Sequence, residues 1–334
     1  MDKTHVSIKD IASMAGVSIA TVSRVLNKTG RYTKETEERV NAVMKATNYH
    51  PNLVARGLRV NRMNNIGIIT PDITNEFFAK LVMELQTELF AAGYCSLICN
   101  TNENPDMERR HFSMLQSQNV AGIIYMAGSG TFESMTSKGA PTAYIDRVPD
   151  FALPENSVIV ESDNFSGGML ATSLLLSKGC KDILLLSDKR RLSSQQNRIN
   201  GYHESHSRAG AVVNTKLIRD LDSVSFGAAY SALGEAISLG IKFDGIFAST
   251  DWLAMGAYQA AKEHGLRIPE DVKLVGYDGI SAALYNEKPI TTICQNTLEI
   301  ARATVEAVIS FIQGKEIAEQ RIKVPVALAE RETT

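Results

Sequence analysis

The chain has four cysteines, at positions 95, 99, 180 and 294, and no two of them form a C-x-x-C pair. That spacing fits neither a disulfide framework nor a thiolate zinc site. Cys95 and Cys99, inside the apolar stretch YCSLIC, are expected to fill core. No basic segment followed by an apolar stretch opens the chain, and no uninterrupted apolar run nears the length of a membrane span. The protein is therefore expected to stay in the cytoplasm, away from membranes. Catalytic signatures are missing too: there is no G-x-S-x-G, no G-x-x-x-x-G-K and no H-E-x-x-H. His203 and His206 are three apart on an expected helix, but Glu204 and Ser205 supply no third ligand, so an exposed polar face is expected there. No metal, cofactor or catalysis is expected.

What is present is a chain of 334 residues, long enough for two or three domains, with 44% hydrophobic and 22% charged residues as in ordinary globular proteins. The charge is segregated. Through Arg62 there are 11 Lys and Arg against 5 Asp and Glu, whereas the remainder has 24 against 32. A basic head on an acidic body points to nucleic acid at one end.

Within that head, Ser7 to Asn27 reads SIKDIASMAGVSIATVSRVLN. Ser7 with Asp10 three residues on is in capping-box register, and Ile8, Ile11 and Ala12 share a helical face. Gly16 suits the left-handed end of that helix. Ser18 then caps a second helix whose inward face is Val22, Val25 and Leu26. This leaves Ile19, Ala20, Thr21, Ser23 and Arg24 outside, where small, hydroxyl and guanidinium side chains suit a reader of a DNA groove. A third helix is expected from the Thr33 cap to Thr47, packing Val40, Val43 and Met44. Pro51 breaks the pattern. Asn52 to Leu58 could form only a short helix, weakened further by Gly57.

These stretches, IKDIA, AGVS, TVSRVLN, NYHPN and VARGL in order over sixty residues, resemble the N-terminal helix-turn-helix of the lactose-repressor (LacI/GalR) family. The resemblance implies a transcriptional regulator, and a hinge at 51–63 that coils on operator DNA. There Leu58 matches the leucine that wedges open a minor-groove step, with Arg56 beside it. The expected DNA-contacting set is Ser18, Ile19, Ala20, Thr21, Ser23, Arg24 and Asn27 in the head, and Asn52, Ala55, Arg56 and Leu58 in the hinge.

From Asn64 on, apolar runs alternate with helical stretches. Strands are expected from Ile66, Tyr94, Ala121, Thr142, Ser157, Asp182, Lys216, Asp244 and Val272, with helices between most of them. Such alternation means parallel sheets covered on both faces, and so many units need two sheets. The architecture expected is an all-α head on an α/β two-lobed core, similar to the type I periplasmic sugar-binding proteins. The divisions are 1–50, 51–63 and 64–334. Lobe 1 would hold 64–163 and 291–323, and lobe 2 would hold 164–290 and 324–334.

Ligands collect at the carboxyl ends of parallel strands. Residues there include Asp146, Arg147, Asp163, Thr250, Asp251 and Asp278, with Arg198 on a following helix. Carboxylates and guanidinium groups can each bind adjacent sugar hydroxyls. Their competing roles are helix caps and interlobe ion pairs; Asp251 is expected to cap, and Trp252 either lines the cleft or packs. The family resemblance implies that Asp163, Arg198 and Asp278 contact the effector, and that Phe78, Arg147, Ser194 and Thr250 occupy ligand-dependent positions. The reading is a dimeric repressor on a near-palindromic operator, controlled by a small ligand. That ligand is expected to be a carbohydrate, since Arg147 stands where the purine-binding relatives carry an aromatic residue. A purine-responsive regulator, a plain solute-binding protein and a sugar-remodelling enzyme are the alternatives.

Overall fold

The computed structural model describes residues 6–49, 64–126, 128, 139–149 and 152–334. The hinge segment, with the expected DNA contacts Asn52, Ala55, Arg56 and Leu58, lies outside the described residues. The chain divides into two units, Met1–Met63 and Asn64–Thr334.

In the first unit, α1 (Ile8–Ala15) starts at a capping box. The Ser7 side chain accepts from the Asp10 amide, while the Asp10 carboxylate accepts from the Ser7 amide at 2.8 Å. Gly16, at φ 63°, ends it. Helix α2 (Ile19–Asn27) is capped by Ser18, which accepts from the Thr21 amide at 3.1 Å. Helix α3 (Lys34–Thr47) is capped by Thr33. Ile11, Ala12, Ala15, Val22, Val25 and Val40 form the core, with Leu26, Val43 and Met44 packed half-buried on it. Ile19 joins that core half-buried instead of facing outward.

The second unit contains two six-stranded sheets. The first comprises β1 (Asn65–Thr70), β2 (Cys95–Asn100), β3 (Gly122–Tyr125), β4 (Thr142–Ile145), β5 (Ser157–Ser162) and β11 (Arg321–Val324), in the order 11-5-4-3-1-2. The second comprises β6 (Ile183–Asp188), β7 (Ile218–Leu221), β8 (Gly245–Ala248), β9 (Lys273–Asp278), β10 (Thr291–Gln295) and β12 (Val326–Ala329), in the order 12-10-9-8-6-7. All pairings are parallel except β10 with β12, which is antiparallel. Central strands are buried along their length, which explains their unbroken apolar runs. The helices that matter below are α4 (Glu76–Ala91), α5 (Pro105–Ser117), α6 (Asn164–Ser177), α7 (Ser193–Arg208), α8 (Phe226–Ser238), α9 (Asp251–Glu263) and α10 (Thr297–Ile312).

The chain changes sheets between β5 and α6 at Asp163, between β10 and α10 at Asn296, and between β11 and β12 at Pro325. The second crossing corrects the expected boundary near 290, because residues 291–295 pair with β9 and belong to lobe 2. A second correction concerns Thr215–Leu217, a turn of 3-10 helix placed ahead of β7 where a strand from Lys216 was expected. The four cysteines are free. Cys99 is buried, but Cys95 is exposed at the start of edge strand β2. His206 is also not on an exposed face: it is buried, its ring 4.3 Å from that of Tyr202. Among the described residues no helix is long and apolar enough to cross a membrane.

Candidate functional site

On the head, Ser18, Ala20 and Arg24 are exposed on α2, and Thr21 and Ser23 are half-buried. The Ser18 and Thr21 hydroxyls lie 2.9 Å apart at the helix N-terminus, where unpaired amides favour phosphate oxygens. The Arg24 stem leans on Gly30, with a contact of 3.3 Å from where a glycine Cβ would sit. Asn27 closes α2; its side chain lies outside what the structure describes. One exposed face thus carries hydroxyl, methyl and guanidinium groups in a helix-turn-helix frame.

The second site is a cleft of about 450 Å³, its open mouth included. Lobe 1 contributes Asn75, Phe77 and Phe78 from the start of α4, Glu103 after β2, and Asp146 and Arg147 after β4. Lobe 2 contributes Asp188 at the end of β6 and Arg190 after it, Ser194, Gln195 and Arg198 from α7, Val224 before α8, Thr250 ahead of α9, and Asp278 at the end of β9. The strand ends of both sheets therefore converge here, as parallel topology requires.

Arg198 is placed by close helix packing. A Cβ on Gly168 of α6 would lie 2.2 Å from the Arg198 carbonyl oxygen, and one on Gly201 would lie 2.3 Å from the Phe165 carbonyl oxygen. Only glycine lets α6 and α7 approach so closely. The Arg198 guanidinium stacks 3.7 Å over the Tyr277 ring and donates to Asn164 Oδ1 at 2.8 Å and the Ser249 carbonyl at 2.7 Å. It also lies 3.4 Å from Asp278 Oδ1, which accepts a second bond from Gln295 at 2.8 Å. Burial pushes the Asp278 carboxyl up to about 7 despite the pull of Arg198.

Bonds already join the lobes: Glu76 of lobe 1 accepts from the Ser281 and Ala282 amides of lobe 2, at 2.6 and 3.2 Å, and three more lie around α7 and Arg190. Leu192 offers α7 no capping side chain, and the two serines that follow reach lobe 1 instead. Ser194 donates to Asp146 at 3.0 Å, and Ser193 Oγ accepts from the Val148 amide at 2.7 Å. Arg190 Nη1 donates to Glu103 Oε2 at 2.6 Å. Burial would raise the Glu103 carboxyl, but hydrogen bonding to Arg147 and the charges of Arg147 and Arg190 outweigh it and hold it at about 2.

Comparison with known proteins decides what such a pair of sites belongs to. Residues 7–52 match the family described as bacterial regulatory proteins, lacI family, and residues 172–334 match the periplasmic binding protein-like domain. The HTH-type transcriptional regulator RegA of Clostridium saccharobutylicum is 33% identical, over 98% of this chain and 99% of its own. The chain belongs to the LacI family. The ribose operon repressor of Halalkalibacterium halodurans is 34% identical, over 98% of this chain and 97% of its own. A crystal structure of the lac repressor dimer bound to operator and the anti-inducer ONPF superposes with a TM-score of 0.87 at 25% identity, covering 98% of both chains. This LacI-family member is a DNA-binding transcriptional regulator with a ligand-binding core.

Within that LacI-family frame, the structure brings six of the seven effector residues expected from sequence into the cleft: Phe78, Arg147, Ser194, Arg198, Thr250 and Asp278. Asp163 is not among the lining residues. It caps α6, accepting from the Ser166 amide at 3.1 Å and the Ser166 hydroxyl at 2.7 Å. Thr250, not Asp251, caps α9. Asp251 instead turns inward and accepts from the amides of Gly279 and Ile280, at 2.8 and 2.9 Å, and from the Thr292 hydroxyl at 2.6 Å. Trp252 packs on the core, half-buried. Sequence reasoning missed Glu103, Asp188, Arg190 and Gln195. The rule that found Arg147, applied at the end of β6, would have found Asp188 and Arg190.

Proposed function

We propose that this regulator sits as a homodimer on a near-palindromic operator, and that a small carbohydrate bound between its lobes sets its affinity for DNA. The reading places Ser18, Ala20, Thr21, Ser23 and Arg24 against the major groove, two heads to two half-sites. Segment 51–63, with Leu58 as the candidate wedge, is assigned the relay between cleft and heads. The dimer is supported by lobe 1, where Met83, Phe90, Ile98 and Met114 are exposed on α4, β2 and α5 around the unpaired edge of β2.

The observation that carries the ligand assignment is the convergence of Arg147, Arg198 and Asp278 from two lobes beside one aromatic wall. Polar groups that grip adjacent hydroxyls next to an apolar ring are what a sugar needs. A purine would need an open aromatic face. Phe77 meets Phe78 edge-on at 5.1 Å, and Arg147 sits 5.8 Å over the Phe78 ring. The name of the ribose operon repressor among its relatives agrees with a sugar. The protein is assigned to the cytoplasm with its DNA, and it acts by binding and not by turnover.

The test measures anisotropy of a labelled operator as sugars are added. Arg198→Ala should keep DNA binding and lose the response to the sugar. A variant that still responded at the same sugar concentration would remove Arg198 from the site, and turnover of bound sugar would replace the regulator reading of the cleft with an enzyme.

A further inference from the structure

Between β2 and α5 the backbone does something that the approach of two helices or strands does not demand. Asn102 and Glu103 stand consecutively at φ 50° and 58°, a region that side-chain-bearing residues rarely occupy. Asn104 resumes ordinary geometry and caps α5. The result is to hold the Glu103 carboxylate inside the cleft. There Oε1 accepts from Arg147 Nη2 at 2.8 Å, and Oε2 accepts from Arg147 Nη1 at 3.0 Å and from Arg190 Nη1 at 2.6 Å. One carboxylate thus fills the guanidinium fork of Arg147 in lobe 1 and takes the Nη1 donor of Arg190 in lobe 2. Arg190 is held from its other side by Asp188, bonded at 2.9 Å from Nε.

A paired arginine fork is ordinarily where a protein binds phosphate or carboxylate. In this cleft the fork is filled by the chain itself. Among the described lining residues four carboxyl groups face three guanidinium groups, with no surplus of positive charge for an anion. The polar atoms that do lack a partner are of the opposite kind. Asp146 Oδ1 and Gln195 Oε1 are buried acceptors with no donor among the described residues, on side chains each 6% exposed. A buried acceptor calls for a donor, and hydroxyl groups are donors, while a phosphate dianion offers only more acceptors.

We infer that Glu103 is a specificity-determining residue: by occupying Arg147 and Arg190 it makes the cleft select an uncharged, hydroxyl-rich ligand over the phosphorylated or carboxylated form of the same molecule. The inference rests on the carbohydrate reading above and adds the charge of the ligand to it. Removing the Glu103 charge without changing its shape frees the Arg147 fork and Arg190 Nη1 and reverses the preference.

The experiment uses the full-length protein and matched pairs, ribose with ribose 5-phosphate and glucose with glucose 6-phosphate, alongside cellobiose. Affinities are read by calorimetric titration and by shift in melting temperature. Wild type should bind a neutral member in preference to its phosphate. In Glu103→Gln the ratio of phosphate to neutral affinity should rise at least tenfold, and Glu103→Asp, which keeps the charge, should stay on the wild-type side. A wild-type preference for the phosphate overturns the inference without any variant, which covers the case of a Glu103→Gln protein that fails to fold. A Glu103→Gln ratio equal to that of wild type overturns it as well. If no sugar of either kind binds wild type, the carbohydrate reading itself falls, an outcome distinct from the other two.

Discussion

Among the described residues of the head, the six that are fully buried are all apolar, and its polar side chains face water or cap its own helices. The two-lobed core is built otherwise: Arg147, Arg198, Asp146, Asp251 and Asp278 are each less than a tenth exposed. The head therefore offers its chemistry on a finished surface, and its packing does not depend on that chemistry. In the core the ionic groups are part of the packing. A change of ligand there alters which buried charges are compensated, and buried charge is costly to leave alone. That difference suits a device in which one region reads DNA with a constant face while the other changes state.

The sharpest way to break this contrast is to remove apolar contact from the head. Ile11→Ala deletes a fully buried side chain from a core of six residues. The expected loss is about 3 kcal/mol, which a unit this small has little margin to absorb. Calorimetry should show the head transition gone and the core transition in place. A common downward shift of both would show that the two regions do not melt independently.

The same substitution made in each region tests a finer point. Gly168→Ala drives a methyl against the Arg198 carbonyl oxygen in the core, where backbone on both sides resists. The expected cost is about 3 kcal/mol, with weaker binding of the cleft ligand as Arg198 moves. Gly16→Ala in the head meets nothing within 4 Å and suffers only from its φ of +63°, for about 1 kcal/mol. Denaturant midpoints with unchanged slopes would check both. Equal losses would mean that close helix approach is not what places Arg198.

The two regions were also unequally legible in sequence. The capping box of Ser7 and Asp10, the Gly16 stop and the Ser18 cap act over three or four residues, so spacing alone located α1 and α2. The one error, Ile19, came from counting only Val22, Val25 and Leu26 as the inward face of α2. In the core, alternating apolar runs revealed nine strands but not β10, whose TTICQ is no apolar run, nor β11 and β12, which are largely exposed or half-exposed. The rule of strand ends found Arg147, Thr250 and Asp278 because they stand at or just past the ends of clear strands. It could not show that Asp163 turns back onto Ser166, nor that Glu103 points into the cleft through two left-handed residues. Those outcomes depend on backbone turns that residue type does not specify.

The effect that separates the regions by sign comes from Asp251. Burial, and then the charge of Asp278, push its carboxyl up from 3.8 to about 8. Because the folded value is raised, the contribution of this group to stability is complete below the unfolded value near 3.8 and is lost as pH rises toward 8. Across pH 5 to 8 the core transition of wild type should therefore fall as pH rises. Asp278, also raised, adds to that fall, while His203, whose value is lowered, opposes it. The head, with no buried titratable side chain among its described residues, has nothing to contribute with that sign. Asp251→Asn cannot lose a proton, yet its carbonyl oxygen can still accept from the Gly279 and Ile280 amides, and its amide can donate to Thr292. The variant should match wild type near pH 5, melt above it near pH 8, and show a shallower decline between. A decline as steep as that of wild type would mean that Asp251 carries no proton in the folded core.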